Sequence, residues 1–157
     1  MTTSESLQPG LVYETDTIDY LNFLCYIGLD VATVKVISRT VPENFSCPKD
    51  STSDLVSNIN YPSIAVNFTG KGSVSVRRTV TNVGEEDETV YSPVVEAPSG
   101  VKVTLTPNKL QFTKSSKKLS YQVIFSTTLT SLKEDLFGSI TWSNAKYVVR
   151  SPFVLTK

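Results

Sequence analysis

Two periodicities divide the chain. Up to about residue 57 the apolar positions follow no strand alternation and read as helix and loop. Asp16 and Thr17 are good N-cap residues, and Gly28 suits a helix stop. Between them lies Ile18-Asp-Tyr-Leu-Asn-Phe-Leu-Cys-Tyr-Ile27, with only Asp19 and Asn22 polar. A surface helix shows a broad polar stripe, so this one is expected to be buried on more than one side. A fragment of this size has little with which to do that, which implies a partner surface that is missing or is supplied by the other domain. A second helix is expected from Asp30 to about Ser38, with Val31, Val34 and Ile37 on one face. Residues 39–57 are rich in turn formers and read as a linker.

From Asn58 onward the period becomes two. The alternation predicts strands over Ser63–Phe68, Ser73–Thr81, Thr89–Glu96, Val101–Thr106, Leu119–Ser126, Gly138–Ser143 and Tyr147–Leu155. Leu110-Gln-Phe112 adds a short edge piece. Turn chemistry separates them at Gly70-Lys-Gly72, Asn82-Val-Gly84, Ala97-Pro-Ser-Gly100, Thr106-Pro-Asn108 and Ser143-Asn144. About seven short strands in roughly 100 residues predict an antiparallel sandwich of immunoglobulin or fibronectin III type, mainly β, preceded by a short helical segment. Trp142 is in phase with Ile140 and belongs in the core.

One position breaks the pattern. In Ser73–Thr81 the inward phase is Val74, Val76, position 78 and Val80, and position 78 is arginine. A lone buried guanidinium is costly, so it must be paired or exposed. A bulge or sheet edge would carry Arg78 into solvent. The alternative is an interdomain anchor, bonded to carbonyls or a carboxylate of the helical segment.

Composition then removes whole classes of chemistry. Fifteen basic residues balance fifteen acidic ones, which argues against nucleic acid as a partner. No apolar run approaches the ~18 residues of a membrane span. The opening Met1-Thr-Thr-Ser-Glu-Ser6 lacks the basic and apolar regions of a signal peptide. There is no histidine, so these residues cannot assemble a Ser-His-Asp relay, and the usual metal ligand is missing. No Gly-x-Ser-x-Gly elbow and no phosphate-cradling glycine loop is present. The run Glu85-Glu-Asp-Glu88 lacks calcium-loop spacing and reads as a solvated turn. No catalytic residue, metal site or cofactor is assigned.

Cys25 and Cys47 are the only cysteines. A bridge would close a loop of about 22 residues, worth roughly 3 kcal/mol; two reduced, buried thiols are the alternative. Asn44-Phe45-Ser46 and Asn67-Phe68-Thr69 are glycosylation sequons. The alternation around Asn67 puts Ile64, Val66 and Phe68 on one face and Asn67 on the other, free to reach solvent.

Six strings stand in order along the chain: Pro9-Gly-Leu-Val-Tyr-Glu14, Asp19-Tyr-Leu-Asn-Phe-Leu-Cys25 with Gly28, Asn60-Tyr-Pro-Ser-Ile64, Arg78-Thr-Val-Thr-Asn-Val-Gly84, Gly138-Ser-Ile-Thr-Trp142 and Val149-Arg-Ser-Pro152. In this order and spacing the chain resembles the C-terminal end of plant subtilisin-like serine proteases, the cucumisin-like subtilases. The resemblance implies that residues 1–57 are the last helices of a subtilisin catalytic domain and that 58–157 are the fibronectin III-like domain after it. It favours the Cys25–Cys47 bridge, an extracellular or apoplastic parent, and a subtilase catalytic domain as partner, in cis or in trans. It gives no catalytic residue, because no position matches those motifs. One departure stands at Asn144-Ala-Lys-Tyr147, where many members place a histidine and this chain has Lys146-Tyr147. The expected role is non-catalytic: packing on a protease domain and supporting it. The competing readings are a free-standing extracellular binding or adhesion module and an active endopeptidase, the latter opposed by the missing motifs.

Overall fold

A computed structural model describes residues 9–68, 72–127 and 132–157. The opening Met1–Ser6 segment, Thr69 of the second sequon, and Gly70-Lys71 lie outside the described residues. The element order is β1 (Leu11–Val12), α1 (Thr17–Tyr26), α2 (Val31–Ile37), a 3-10 helix (Ser53–Asn58), then β2 (Ile64–Asn67), β3 (Ser73–Asn82), β4 (Thr89–Glu96), β5 (Val101–Thr106), β6 (Leu110–Phe112), β7 (Lys118–Thr127), β8 (Leu136–Ser143) and β9 (Val148–Thr156).

Two sheets face each other, in the orders β1-β3-β7-β5 and β2-β9-β8-β4-β6. Pairing is antiparallel except between β2 and β9, which run parallel, Ile64 opposite Phe153. Alternation builds the core as the strand pattern requires. Val76, Val80, Tyr121, Val123 and Phe125 from one sheet meet Tyr91, Ile140, Trp142, Phe153 and Leu155 from the other, all buried. Trp142 is fully enclosed, its ring edge-on to Tyr121 with centroids 5.1 Å apart.

The corner at the sequence departure is closed by Tyr147, just ahead of β9. A Cβ on Gly10 would lie 2.4 Å from the Tyr147 Cβ, and one on Gly84 would lie 2.7 Å from its ring. The tyrosine occupies the space that those two glycines leave open, and its hydroxyl accepts from the Glu85 N–H at 3.2 Å.

The helical segment forms a thin layer on this sandwich. Asp16 caps α1 through a capping box with Asp19: the Asp19 N–H donates to Asp16 Oδ1 at 2.8 Å and the Asp16 N–H to Asp19 Oδ2 at 3.0 Å. Gly28 follows the helix at φ +97°, the left-handed region that a glycine stop supplies. Asp30 caps α2, accepting from the Thr33 N–H at 2.8 Å. Among the described residues the buried cluster of this layer is Leu21, Cys25 and Val34.

Two details differ from the sequence reading: the stretch read as linker contains most of the 3-10 helix at Ser53–Asn58, and β1 pairs Leu11 and Val12 with Asn82 and Thr81. As expected for a helix whose second apolar side this chain cannot cover, α1 leaves Ile18 and Tyr20 exposed. Neighbouring α2 turns Val36 and Ile37 outward, Val36 at 85% exposure.

Candidate docking interface

The seam between the helical layer and the sandwich is built on the free edge of β3. One edge of β3 is taken by β7; on the other, β1 pairs only with Thr81 and Asn82. Side chains complete that second edge. Asn58 Oδ1 accepts from the Arg77 N–H at 2.8 Å. Asn60 imitates a peptide group: its Oδ1 accepts from the Thr79 N–H and its Nδ2 donates to the Thr79 carbonyl, both at 2.8 Å. The same Nδ2 donates to the Glu14 carbonyl at 2.8 Å, drawing the chain ahead of α1 to the seam. Tyr13 adds a polar tie across the sandwich, its hydroxyl 2.9 Å from that of Tyr121 and 2.6 Å from Ser151 Oγ.

Arg78 sits at the centre of the seam, inside the protein at 2% exposure, so no bulge carries it into solvent. Its guanidinium donates from Nε to the Tyr61 carbonyl at 2.8 Å. Nη1 donates to the carbonyls of Ser57 at 2.7 Å and Arg77 at 2.8 Å, and Nη2 to that of Ser63 at 3.2 Å. Every acceptor is a neutral main-chain oxygen, and three of the four belong to residues 57–63. Burial pulls the guanidinium down to about 10, against the milder opposing influence of Tyr121 and Tyr13.

The remaining singled-out residues lie away from this centre. Cys25 and Cys47 form a disulfide joining α1 to the loop after α2. Asn44 is exposed at a turn with Phe45 half-buried and Ser46 exposed; Asn67 is exposed on β2. The acidic run is met by lysines rather than by one shared centre: Glu85 pairs with Lys146, and Asp87 with Lys117 at 2.7 Å, which lowers the Asp87 carboxyl. Among the described residues no group of three or more His, Cys, Asp or Glu side chains is arranged to hold a metal ion. Among the same residues no helix is long and apolar enough to cross a membrane.

A sandwich of two facing, mainly antiparallel sheets is the architecture of immunoglobulin and fibronectin III domains. Residues 58–155 match the fibronectin type-III domain family, and the chain belongs to it. Over nearly its whole length the chain is also similar to secreted and subtilisin-like proteases of plants. It is 59% identical to the CO(2)-response secreted protease of Arabidopsis thaliana over 99% of this chain and 20% of that protein. It is 56% identical to the Arabidopsis thaliana subtilisin-like protease SBT5.1 over 94% of this chain and 20% of that protein. It is 43% identical to the Lotus japonicus subtilisin-like serine-protease S over 96% of this chain and 19% of that protein. The chain thus spans about a fifth of the length of the curated relatives it matches.

Proposed function

We propose that this chain is the non-catalytic C-terminal portion of a secreted plant subtilisin-like serine endopeptidase, and that it packs on the protease domain and supports its folding and activity. The observation that carries this reading is the identity of 59% and 56% to two plant proteases over almost every residue here, within about a fifth of their length. The outward apolar residues of the helical layer support it, since Ile27, Val36 and Ile37 stand exposed beside a three-residue core. Residues 1–57 are then the last helices of the protease domain and 58–157 the accessory domain. Arg78 is the anchor at their boundary: it reaches across to the Ser57 carbonyl, while its other acceptors, Tyr61, Ser63 and Arg77, lie in its own domain. Asn44 and Asn67 carry glycans on export, both being exposed positions in sequons.

The test is complementation. A matching subtilase protease domain lacking this region is co-expressed with the chain in plant cells, and secretion, co-purification and peptide cleavage are measured. The reading expects a complex at micromolar concentration and cleavage only when both parts are present. Full secretion and cleavage by the truncated protease alone would contradict it. Glycan occupancy is read separately, as mass lost on enzymatic deglycosylation of the secreted chain and of its Asn44→Gln and Asn67→Gln variants.

A further inference from the structure

The seam holds a buried positive charge with no ion-pair partner among the described residues. Four of the five guanidinium N–H groups of Arg78 are taken by carbonyls. The fifth, on Nη2, has no acceptor among the described residues. No aspartate or glutamate there forms an ion pair with it. Carbonyl dipoles solvate a cation but do not cancel it, so a full unit charge remains in a poorly hydrated place.

That charge underlies a groove. Tyr20 and Phe23 of α1, Val56 of the 3-10 helix, Ile59 just after it, and Tyr61 line an apolar depression of about 420 Å³ with Arg78 among its lining residues. The rim is held by the Tyr61 hydroxyl donating to that of Tyr20 at 3.1 Å, the two rings edge to face. Apolar walls keep the local dielectric low, so an anion placed in the groove is attracted more strongly than on open surface. A neutral occupant gains only the apolar contact, and a cationic one is repelled.

We propose that this groove receives an apolar segment of the protease domain bearing one aspartate or glutamate side chain, whose carboxylate sits over the Arg78 guanidinium. This rests on the docking role proposed above and specifies its chemistry: the seam is a charge-selective socket. The counter-ion that the described residues do not provide is supplied by the partner, so the seam is electrostatically complete only in the assembled protease.

Two experiments separate this inference from the reading beneath it. The first uses the chain alone and small probes, 4-phenylbutyrate against its neutral amide, followed by the ring resonances of Tyr20 and Tyr61 in NMR. The acid is expected to bind about tenfold more tightly than the amide, with the preference shrinking as salt rises. Equal binding, or no shift with either probe at tens of millimolar, overturns the socket. The second uses the co-expressed complex and Val56→Asp, which supplies a carboxylate to the groove from the chain itself and leaves Arg78 in place. Its apparent Kd is expected to rise about tenfold, with Val56→Leu near wild type. A complex that forms normally with Val56→Asp overturns the socket and leaves the docking role intact; if no variant, wild type included, forms a complex, the docking role fails and the probe titration still decides the groove's chemistry.

Discussion

The sandwich and the helical layer are built to different standards. The sandwich closes on itself: aromatic and branched side chains from both sheets interlock, and Trp142, Tyr91, Tyr121 and Phe125 are fully enclosed. Among the described residues the helical layer buries the cluster Leu21, Cys25 and Val34 and turns Ile27, Val36 and Ile37 to solvent. What holds it is specific rather than bulk: two capping aspartates, one disulfide and the seam at Arg78, Asn58 and Asn60. A region fastened by a few polar and covalent ties, with its apolar side open, is one whose stability depends on what it meets. A region with its own core does not need a partner to fold.

The largest effect expected on this contrast is Trp142→Ala. It removes the biggest side chain of the core and should cost about 3–5 kcal/mol. Thermal unfolding should show the whole chain destabilised, since the layer has nothing else to rest on. If only the sandwich signals moved, the dependence of layer on sandwich would be broken.

Arg78→Met comes next. It strips donors from four part-buried carbonyls, partly offset by removal of a desolvated charge, for a net loss of about 3 kcal/mol. Hydrogen exchange should place the loss first at residues 53–63 and only later in the strands. Uniform loss across the molecule would make Arg78 an ordinary core residue rather than the tie of the seam.

Removing the disulfide with Cys25→Ser and Cys47→Ser should cost about 3 kcal/mol, confined to the helical layer. Exchange should rise over residues 17–47, with the strands unchanged. A fall in the strands' protection would show that the two regions share more than the seam.

The smallest effect is set by pH. Glu14 is held low by the Thr81 hydroxyl and Lys118, and Asp30 by the N–H and side chain of Thr33. Both carboxyls sit below their ordinary values of 4.5 and 3.8 in the folded protein, so their contribution is fully present above those values and fades as pH falls below them. Glu14 joins the layer to β3 and Asp30 caps α2. Acid should therefore loosen the layer before the sandwich, visible as earlier exchange over 14–37. Simultaneous loss of both regions would contradict this ordering.

The two regions also differ in how far they could be read in advance. Strands β3, β4 and β7–β9 were legible because period-two alternation runs through them, broken in β8 where Ser139 and Ile140 are both buried, and Trp142 fell in phase with Ile140. The α1 helix was legible from its cap and its glycine stop. The 3-10 helix and β1 were not, because six and two residues carry no periodicity. Arg78 was flagged by its inward phase, but its acceptors are main-chain oxygens, which leave no mark in side-chain identity. The edge completion at Asn58 and Asn60 joins residues 19 apart in the chain. The one readable trace of it is their two-residue spacing, which matches that of Arg77 and Thr79 along a strand.

The most direct measurement of the central claim is hydrogen exchange on this chain alone and with the truncated protease domain. The account predicts new protection over residues 17–37 and 53–63, where the layer and its groove are covered, and none on the outer faces of β4 and β8. Protection confined to those strands, or a helical layer already fully protected in the free chain, would contradict it.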